Sequence, residues 1–141
     1  MNKILLAVTA IFFANTLSAA TFEIEMLNRL GKESMVYSES VVNIQSGDTV
    51  KWLATTKGHN VQFLSVPEGV GTFRSKLNVD TEYTFTVPGI YLYQCTPHKN
   101  MGMIAIVVVD GNKDNLNVIT SARVAGKSKK RLAKIIETLS S

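Results

Sequence analysis

Hydrophobic and polar residues alternate with a period of two in several short segments of the chain. Phe22, Ile24 and Met26 alternate with Glu23 and Glu25, which predicts a half-buried strand. Further strands are predicted over 41–45, 49–55, 82–87, 90–95 and 103–110. The last of these is almost continuously apolar, which indicates burial on both faces. Short strands separated by Gly, Pro and Asp predict a β-sandwich or barrel, with a long loop over 65–80.

The alternation ends after Asp110, and apolar residues then follow a helical spacing. A first, loosely spaced helix is broken by Gly126, and Ser128 is expected to cap a second helix. The apolar stripe of the second helix consists of Leu132, Ile135, Ile136 and Leu139. Its other face carries Lys127, Lys129, Lys130, Arg131 and Lys134. We interpret this as a solvated face of a docked helix, so 112–141 is a helical extension of one domain over 21–141.

The first twenty residues have the pattern of a signal peptide. Lys3 precedes an apolar run over 4–13, and Ser18 and Ala20 fit the small-residue positions of a cleavage site. Cleavage is expected after Ala20, with cleavage after Ala19 as a close rival. The run is shorter than the roughly 20 residues that span a bilayer. We therefore expect an exported, periplasmic protein without stable membrane association.

Charge and cysteine content exclude some classes of protein. The formal net charge of the chain is +4, and no basic stripe is interleaved with aromatic residues, so a nucleic-acid partner is not expected. A single cysteine cannot form a disulfide scaffold. In an oxidising compartment Cys95 must be a buried spectator, an intermolecular bridge, a nucleophile or a metal ligand.

Soft and borderline metal donors are concentrated around Cys95. The pattern is His59 in KGHN, followed by Cys95, His98 and Met103 in the spacing Cys-x-x-His-x-x-x-x-Met. Each residue alone is more often a core or loop residue. Together, a thiolate, two imidazoles and a thioether are the donors of a mononuclear blue-copper site. Met101 competes for the axial position, but Met103 is favoured because the chain re-enters the sheet there.

Three other classes of protein use similar donors. A copper-delivery protein would release its metal readily, and it is the alternative function. A structural zinc domain would rarely use thioether sulfur, so Met103 disfavours it. A thiol enzyme would need an orienting acid or an oxyanion hole beside Cys95, and no motif supplies one. No enzymatic activity is expected.

Several segments resemble those of pseudoazurins, a family of type 1 blue copper proteins within the cupredoxins. They are EMLN, SGDTVKW, KGHNV, YQCTPHKNMGMIAIVVV and the two C-terminal helices, and together they cover essentially all of 21–141. The resemblance implies a Greek-key β-sandwich of about eight strands with two C-terminal helices. It implies one copper ion, cycling between Cu(II) and Cu(I), on His59, Cys95, His98 and Met103. Asn60 would tie the ligand loops together, and Met35 would pack beside His98.

The resemblance also implies how such a protein transfers electrons. Transfer would be outer-sphere, through the exposed edge of His98, by a monomer that binds its partner weakly. The expected partner is an acidic redox protein, in this family usually a copper nitrite reductase. Candidate steering cations are Lys57, Lys99, Arg29, Lys32, Arg74 and Lys76. Lys99 departs from the aromatic or apolar residue typical of the family at this position.

Overall fold

The structure is a computed structural model, and it describes residues 18–140. Most of the signal peptide predicted over 1–20 thus lies outside the described residues. The strands are β1 (Thr21–Leu30), β2 (Glu33–Tyr37), β3 (Val41–Ile44), β4 (Thr49–Leu53), β5 (Gln62–Ser65), β6 (Thr81–Thr84), β7 (Gly89–Gln94) and β8 (Ile104–Val109). The helices are α1 (Leu116–Thr120) and α2 (Ser128–Ser140). A helix with the length and apolar character of a membrane span is not found within 18–140.

The eight strands form two four-stranded sheets. Their strand orders are β2-β1-β4-β6 and β3-β8-β7-β5. Strand β1 runs parallel to β4, with Thr21 opposite Thr49, and β3 runs parallel to β8, with Val41 opposite Ile106. The other neighbouring strands are antiparallel. The mainly β architecture with two C-terminal helices confirms the fold predicted from the sequence.

Strands β7 and β8 separate two hydrophobic cores. Tyr91 and Val107 face a core between the two sheets, together with Ile24, Met26 and Trp52. The alternate residues Ile90, Leu92, Ile104, Ile106 and Val108 face a second core against the helices. Every residue of both strands is buried, because each face of this sheet region is covered. This explains the near-continuous apolar runs in the sequence.

Helix α2 docks on the second core as the apolar stripe predicted. Leu132, Ile135 and Leu139 are buried, and each contributes about 1.5–3 kcal/mol to stability as an upper estimate. Ser128 has a different role from the expected cap. It is the first residue of α2 and fully buried, and its hydroxyl donates to the carbonyl oxygen of Lys99 at 2.6 Å. This bond ties the start of α2 to the segment that follows Cys95.

The sequence did not predict β2 or β5. In β2 only Val36 and Tyr37 are buried, and all four residues of β5 are half-buried, so neither strand shows an alternation. The strand predicted over 82–87 ends at Thr84. The regular register is lost there, because the Phe85 carbonyl accepts from Gly47 while the Asp48 amide turns back to Gln45.

Candidate metal centre

The donor residues lie at the ends of strands, where the backbone is held by the sheets. His59 lies between β4 and β5, Cys95 directly follows β7, and Met103 directly precedes β8. We call the segment from Cys95 to Met103 the ligand loop. The antiparallel pairing of β7 with β8 fixes its ends, and the Cys95 amide donates to the Met103 carbonyl at 3.0 Å. Inside the loop, His98 N–H donates to the Cys95 carbonyl at 3.2 Å, which closes a tight turn.

His59, Cys95 and His98 converge as the sequence predicts. The Cys95 Sγ lies 3.7 Å from His59 Nδ1 and 3.4 Å from His98 Nδ1. One ligand atom from each residue lies within 4.8 Å of the others. The two imidazole rings are 4.9 Å apart, centroid to centroid. Three donors therefore point at one centre although they come from two separate loops.

Asn28 in β1 fixes the orientation of the His59 ring. Its Oδ1 lies 2.8 Å from His59 Nε2. An amide oxygen only accepts hydrogen bonds, so Nε2 carries the hydrogen and Nδ1 keeps its lone pair toward Cys95. A metal-binding histidine is typically oriented in this way by a partner of its second nitrogen.

Asn60 ties the two donor loops together, as expected. Its Oδ1 accepts from the Thr96 amide at 2.8 Å and from the Thr96 hydroxyl at 3.1 Å. Its own backbone amide donates to the Cys95 sulfur. The carbonyl of Asn60 accepts from the Tyr37 hydroxyl at 2.8 Å. Loop movement relative to His59 would break these buried and partly buried bonds, which therefore restrain the site.

Burial controls the ionisation of the three converging donors. Burial raises the pKa of the Cys95 thiol, and the backbone amides of Asn60 and His98 oppose that rise. Burial lowers the pKa of His98, and burial followed by the charge of His98 lowers the pKa of His59. Both histidines thus favour the neutral form that binds metals. A bound cation would supply the charge that stabilises the thiolate in this buried site.

The donors differ in their access to solvent. His59, Cys95 and Met103 have no exposed surface, whereas His98 is only half-buried. Gly58 lies against His98, and a Cβ at Gly58 would be 3.7 Å from His98 Cε1. His98 is therefore the donor that reaches the molecular surface.

Met35 and the six predicted cations are not among the three converging donors. Met35 is half-buried and packs against the main core, with a left-handed backbone φ of +53°. All six predicted cations are exposed: Arg29, Lys32, Lys57, Arg74, Lys76 and Lys99. Sequence reasoning missed Asn28 and the bond from the Ser128 hydroxyl to Lys99. From the sequence, Asn28 has the pattern of a polar strand residue that faces solvent. Its place in the motif EMLN was the one sequence feature that could have indicated a role at the site.

The donor set fits copper. Thiolate and imidazole together suit copper, and a buried thioether next to them is uncommon in zinc sites. Met103 is a fully buried methionine at the end of the ligand loop, and its amide donates to the His98 carbonyl at 3.4 Å. The three converging donors and the rigid frame around them are those of a buried copper centre.

Comparison with known proteins supports the same conclusion. The family model for copper-binding proteins of the plastocyanin/azurin family matches residues 24–110. Pseudoazurin of Paracoccus pantotrophus is 38% identical, covering 81% of this chain and 80% of the relative. Pseudoazurin of Methylorubrum extorquens is 36% identical, covering 89% of this chain and 88% of the relative. The solved structure of a Sinorhizobium meliloti pseudoazurin superposes with a TM-score of 0.82 at 38% identity, over 86% of this chain and 98% of the other.

The fold and site are those of a cupredoxin, a copper-binding electron carrier with a His-Cys-His centre. The chain belongs to the plastocyanin/azurin family of copper-binding proteins, and within that family it is a homologue of the pseudoazurins.

Proposed function

We propose that this protein is a periplasmic one-electron carrier that passes electrons by outer-sphere transfer to or from a redox enzyme. The observation that carries the proposal is the convergence of Cys95 Sγ with the Nδ1 atoms of His59 and His98 in a rigid, buried site. A copper ion held there would accept and release one electron. Asn28 and Asn60 hold the donors in place, which limits the rearrangement that accompanies a change of charge.

Met103 is proposed as the fourth, axial donor. It has no exposed surface and its carbonyl accepts from the Cys95 amide, whereas Met101 is 42% exposed; the amides of both methionines donate to the His98 carbonyl. The test is to compare Met103→Leu with Met101→Leu as the matched control. Met103→Leu is expected to shift the reduction potential and the electron paramagnetic resonance spectrum of the Cu(II) protein. A shift produced by Met101→Leu alone would assign the axial role to Met101.

Four filled donor positions would leave no site for a substrate on the metal, so no catalysis is proposed. The burial of His59 and Cys95 also disfavours the alternative, copper delivery, because delivery requires donors that a receiving protein can reach. Metal exchange distinguishes the two functions. An electron carrier is expected to retain its copper when mixed with an excess of a competing chelator, and rapid loss would favour delivery.

The proposed electron route is the exposed edge of His98, the half-buried donor. Gly58 leaves this edge uncovered, because no side chain projects from it toward His98 Cε1. The proposed partner is an acidic redox protein, and the pseudoazurin resemblance favours a copper nitrite reductase. Exposed Lys57 and Lys99 flank Gly58 and His98 in the sequence and are the first candidates for steering it.

Replacing both lysines tests the steering role. Lys57→Ala with Lys99→Ala is expected to slow association with a copper nitrite reductase several-fold at low salt, and the difference should vanish at high salt. The control is Arg123→Ala with Lys129→Ala, which removes the same charge from the helical extension. Equal rates for both double variants at every ionic strength would rule out specific steering by Lys57 and Lys99.

Export is proposed from the sequence of residues 1–20. The amide of Ala20 donates to Asp48 Oδ1 at 2.7 Å, and Asp48 is buried. Cleavage after Ala20, the position expected from the sequence, would remove this bond, whereas cleavage after Ala19 would leave a new α-ammonium group at Ala20 to pair with the Asp48 carboxylate. Intact mass spectrometry of the exported protein tests the position. A mature chain that begins at Thr21 would rule out this pairing.

A further inference from the structure

A groove of about 510 Å³ lies between the β1–β2 hairpin and helix α2. Leu30 and Glu33 line it on the hairpin side, and Met101 and Gly102 line it where it meets the ligand loop. Four basic side chains line it on the helix side: Lys127, Lys130, Arg131 and Lys134. The groove therefore joins a basic surface to the loop that carries three of the proposed copper donors.

The spacing of these cations explains why they share one side of the helix: Lys130, Arg131 and Lys134 lie on α2, and Lys127 directly precedes it. Positions 127, 130, 131 and 134 recur at intervals of three and four residues, directly beside the buried stripe of Ser128, Leu132, Ile135 and Leu139. Docking of that stripe turns the basic side chains toward the hairpin. Lys129 faces a different groove on the same helix, together with Arg123.

The start of α2 is attached to the ligand loop, so the groove keeps a fixed place beside the copper centre. The Lys127 amide donates to the Asn100 carbonyl at 3.0 Å, and the Ser128 hydroxyl donates to the Lys99 carbonyl at 2.6 Å. A Cβ at Gly102 would lie 3.5 Å from Lys127 Cβ and 3.5 Å from Arg131 Nε, so the ligand loop and the start of α2 are closely packed here. An occupant of the groove would therefore contact the ligand loop directly.

The charges of the groove are poorly balanced. Among residues 18–140, Glu33 is the only acidic residue that lines it, and it pairs with Arg131 at 3.2 Å. The ammonium groups of Lys127, Lys130 and Lys134 form no ion pair with any residue of 18–140. Three unpaired cations around one cleft attract a ligand that carries several negative charges, spaced as carboxylate side chains are along a peptide.

We propose that this groove binds an acidic segment of the redox partner and holds it beside Met101 of the ligand loop. The proposal rests on the proposed function as an electron carrier. It extends the interface from the residues around His98 to the C-terminal helix. Lys127, Lys130 and Lys134 would recognise carboxylates, and the exposed apolar side chain of Met101 would contact apolar atoms of the same segment.

An octaglutamate peptide is the probe, titrated into the isotope-labelled Cu(I) protein at low ionic strength and followed by amide chemical shifts. Shift changes are expected at 127–134 and 101–102. Lys130→Glu with Lys134→Glu should weaken binding at least about tenfold. The control, Arg123→Glu with Lys129→Glu, makes the same change of net charge at the other groove and should weaken binding several-fold less, because it acts only through the long-range field.

Three outcomes would overturn the proposal. Equal weakening by the two double variants would mean that only net charge matters. Equivalent shifts with inorganic phosphate would mean a site for small anions. Shifts at the groove that depend on protein concentration without peptide would mean that a second copy of the chain occupies it. Peptide binding needs no electron transfer, so its failure would leave the copper spectrum, and with it the proposed function, untouched.

Discussion

The contact between Gly126 and the ligand loop allows a quantitative prediction. Gly126 has a left-handed φ of +52°, and a Cβ at this position would lie 2.4 Å from the Asn100 carbonyl oxygen and 3.0 Å from Asn100 Cα. Both contacts are with backbone, which cannot rotate away. Gly126→Ala must therefore push the start of α2 and the ligand loop apart.

A matched control exists at Gly111. Its φ of +61° is also left-handed, but a Cβ there would meet nothing within 4 Å. Gly111→Ala is expected to cost only the left-handed conformation, about 1 kcal/mol. Gly126→Ala has the same conformational cost, and the steric overlap of the new Cβ with the Asn100 backbone adds about 1–3 kcal/mol. The free energy of unfolding should therefore fall by about 2–4 kcal/mol. The reduced entropy of the unfolded chain is common to both variants and cancels.

Thermal unfolding of the Cu(I) protein measures this difference. For a domain of this size, Tm should fall by about 4 °C in Gly111→Ala and by about 8–15 °C in Gly126→Ala. Gly126→Ala should also shift the thiolate-to-copper absorption band of the Cu(II) protein, because Asn100 belongs to the ligand loop. Equal losses of Tm in the two variants, with unchanged spectra, would contradict the inferred attachment of α2 to the ligand loop.

Three further predictions concern the site and its supports. Asn60→Ala leaves the Thr96 amide without its acceptor, which should lower the free energy of unfolding by about 1–3 kcal/mol in denaturant titrations; an unchanged midpoint would exclude this bridge. Burial, followed by the charge of Tyr83, raises the pKa of Tyr91 to about 12. The raised pKa of Tyr91 means that its protonated hydroxyl stabilises the folded protein fully below the unfolded pKa of about 10, and that this stabilisation is lost as pH rises toward 12. Tm should therefore fall above about pH 10, and a Tm independent of pH in this range would contradict the raised pKa. Cys95 should resist alkylation in the copper-loaded protein and react after unfolding; rapid reaction with copper bound would remove it from the donor set.

The ligand loop could be interpreted from sequence because its information is local. Cys95 and His98 are three residues apart and Met103 is five residues further on, and thiolate, imidazole and thioether donors are chemically distinctive. The neighbouring strands β7 and β8 could be predicted because both are apolar along nearly their whole length. The pairing of β7 with β8 brings the two ends of the ligand loop together, and it does not depend on contacts with distant segments.

The supports of the site could not be predicted, because they depend on contacts between distant segments. Asn28 and His59 are 31 residues apart, and their hydrogen bond exists only because β1 pairs with β4 in one register. Ser128 reaches Lys99 across 29 residues. A serine before an amphipathic helix has the same local pattern whether its hydroxyl caps the helix or bonds another loop. Tertiary packing decides between these two roles.

The most direct test of the copper centre is the visible absorption and electron paramagnetic resonance spectrum of the protein reconstituted with Cu(II), recorded before and after ascorbate. A Cys95 thiolate with the His59 and His98 imidazoles predicts an intense blue or green thiolate-to-copper band that bleaches on reduction. A colourless protein, or the weak spectrum of ordinary tetragonal copper, would contradict thiolate ligation and return zinc binding and thiol chemistry to consideration.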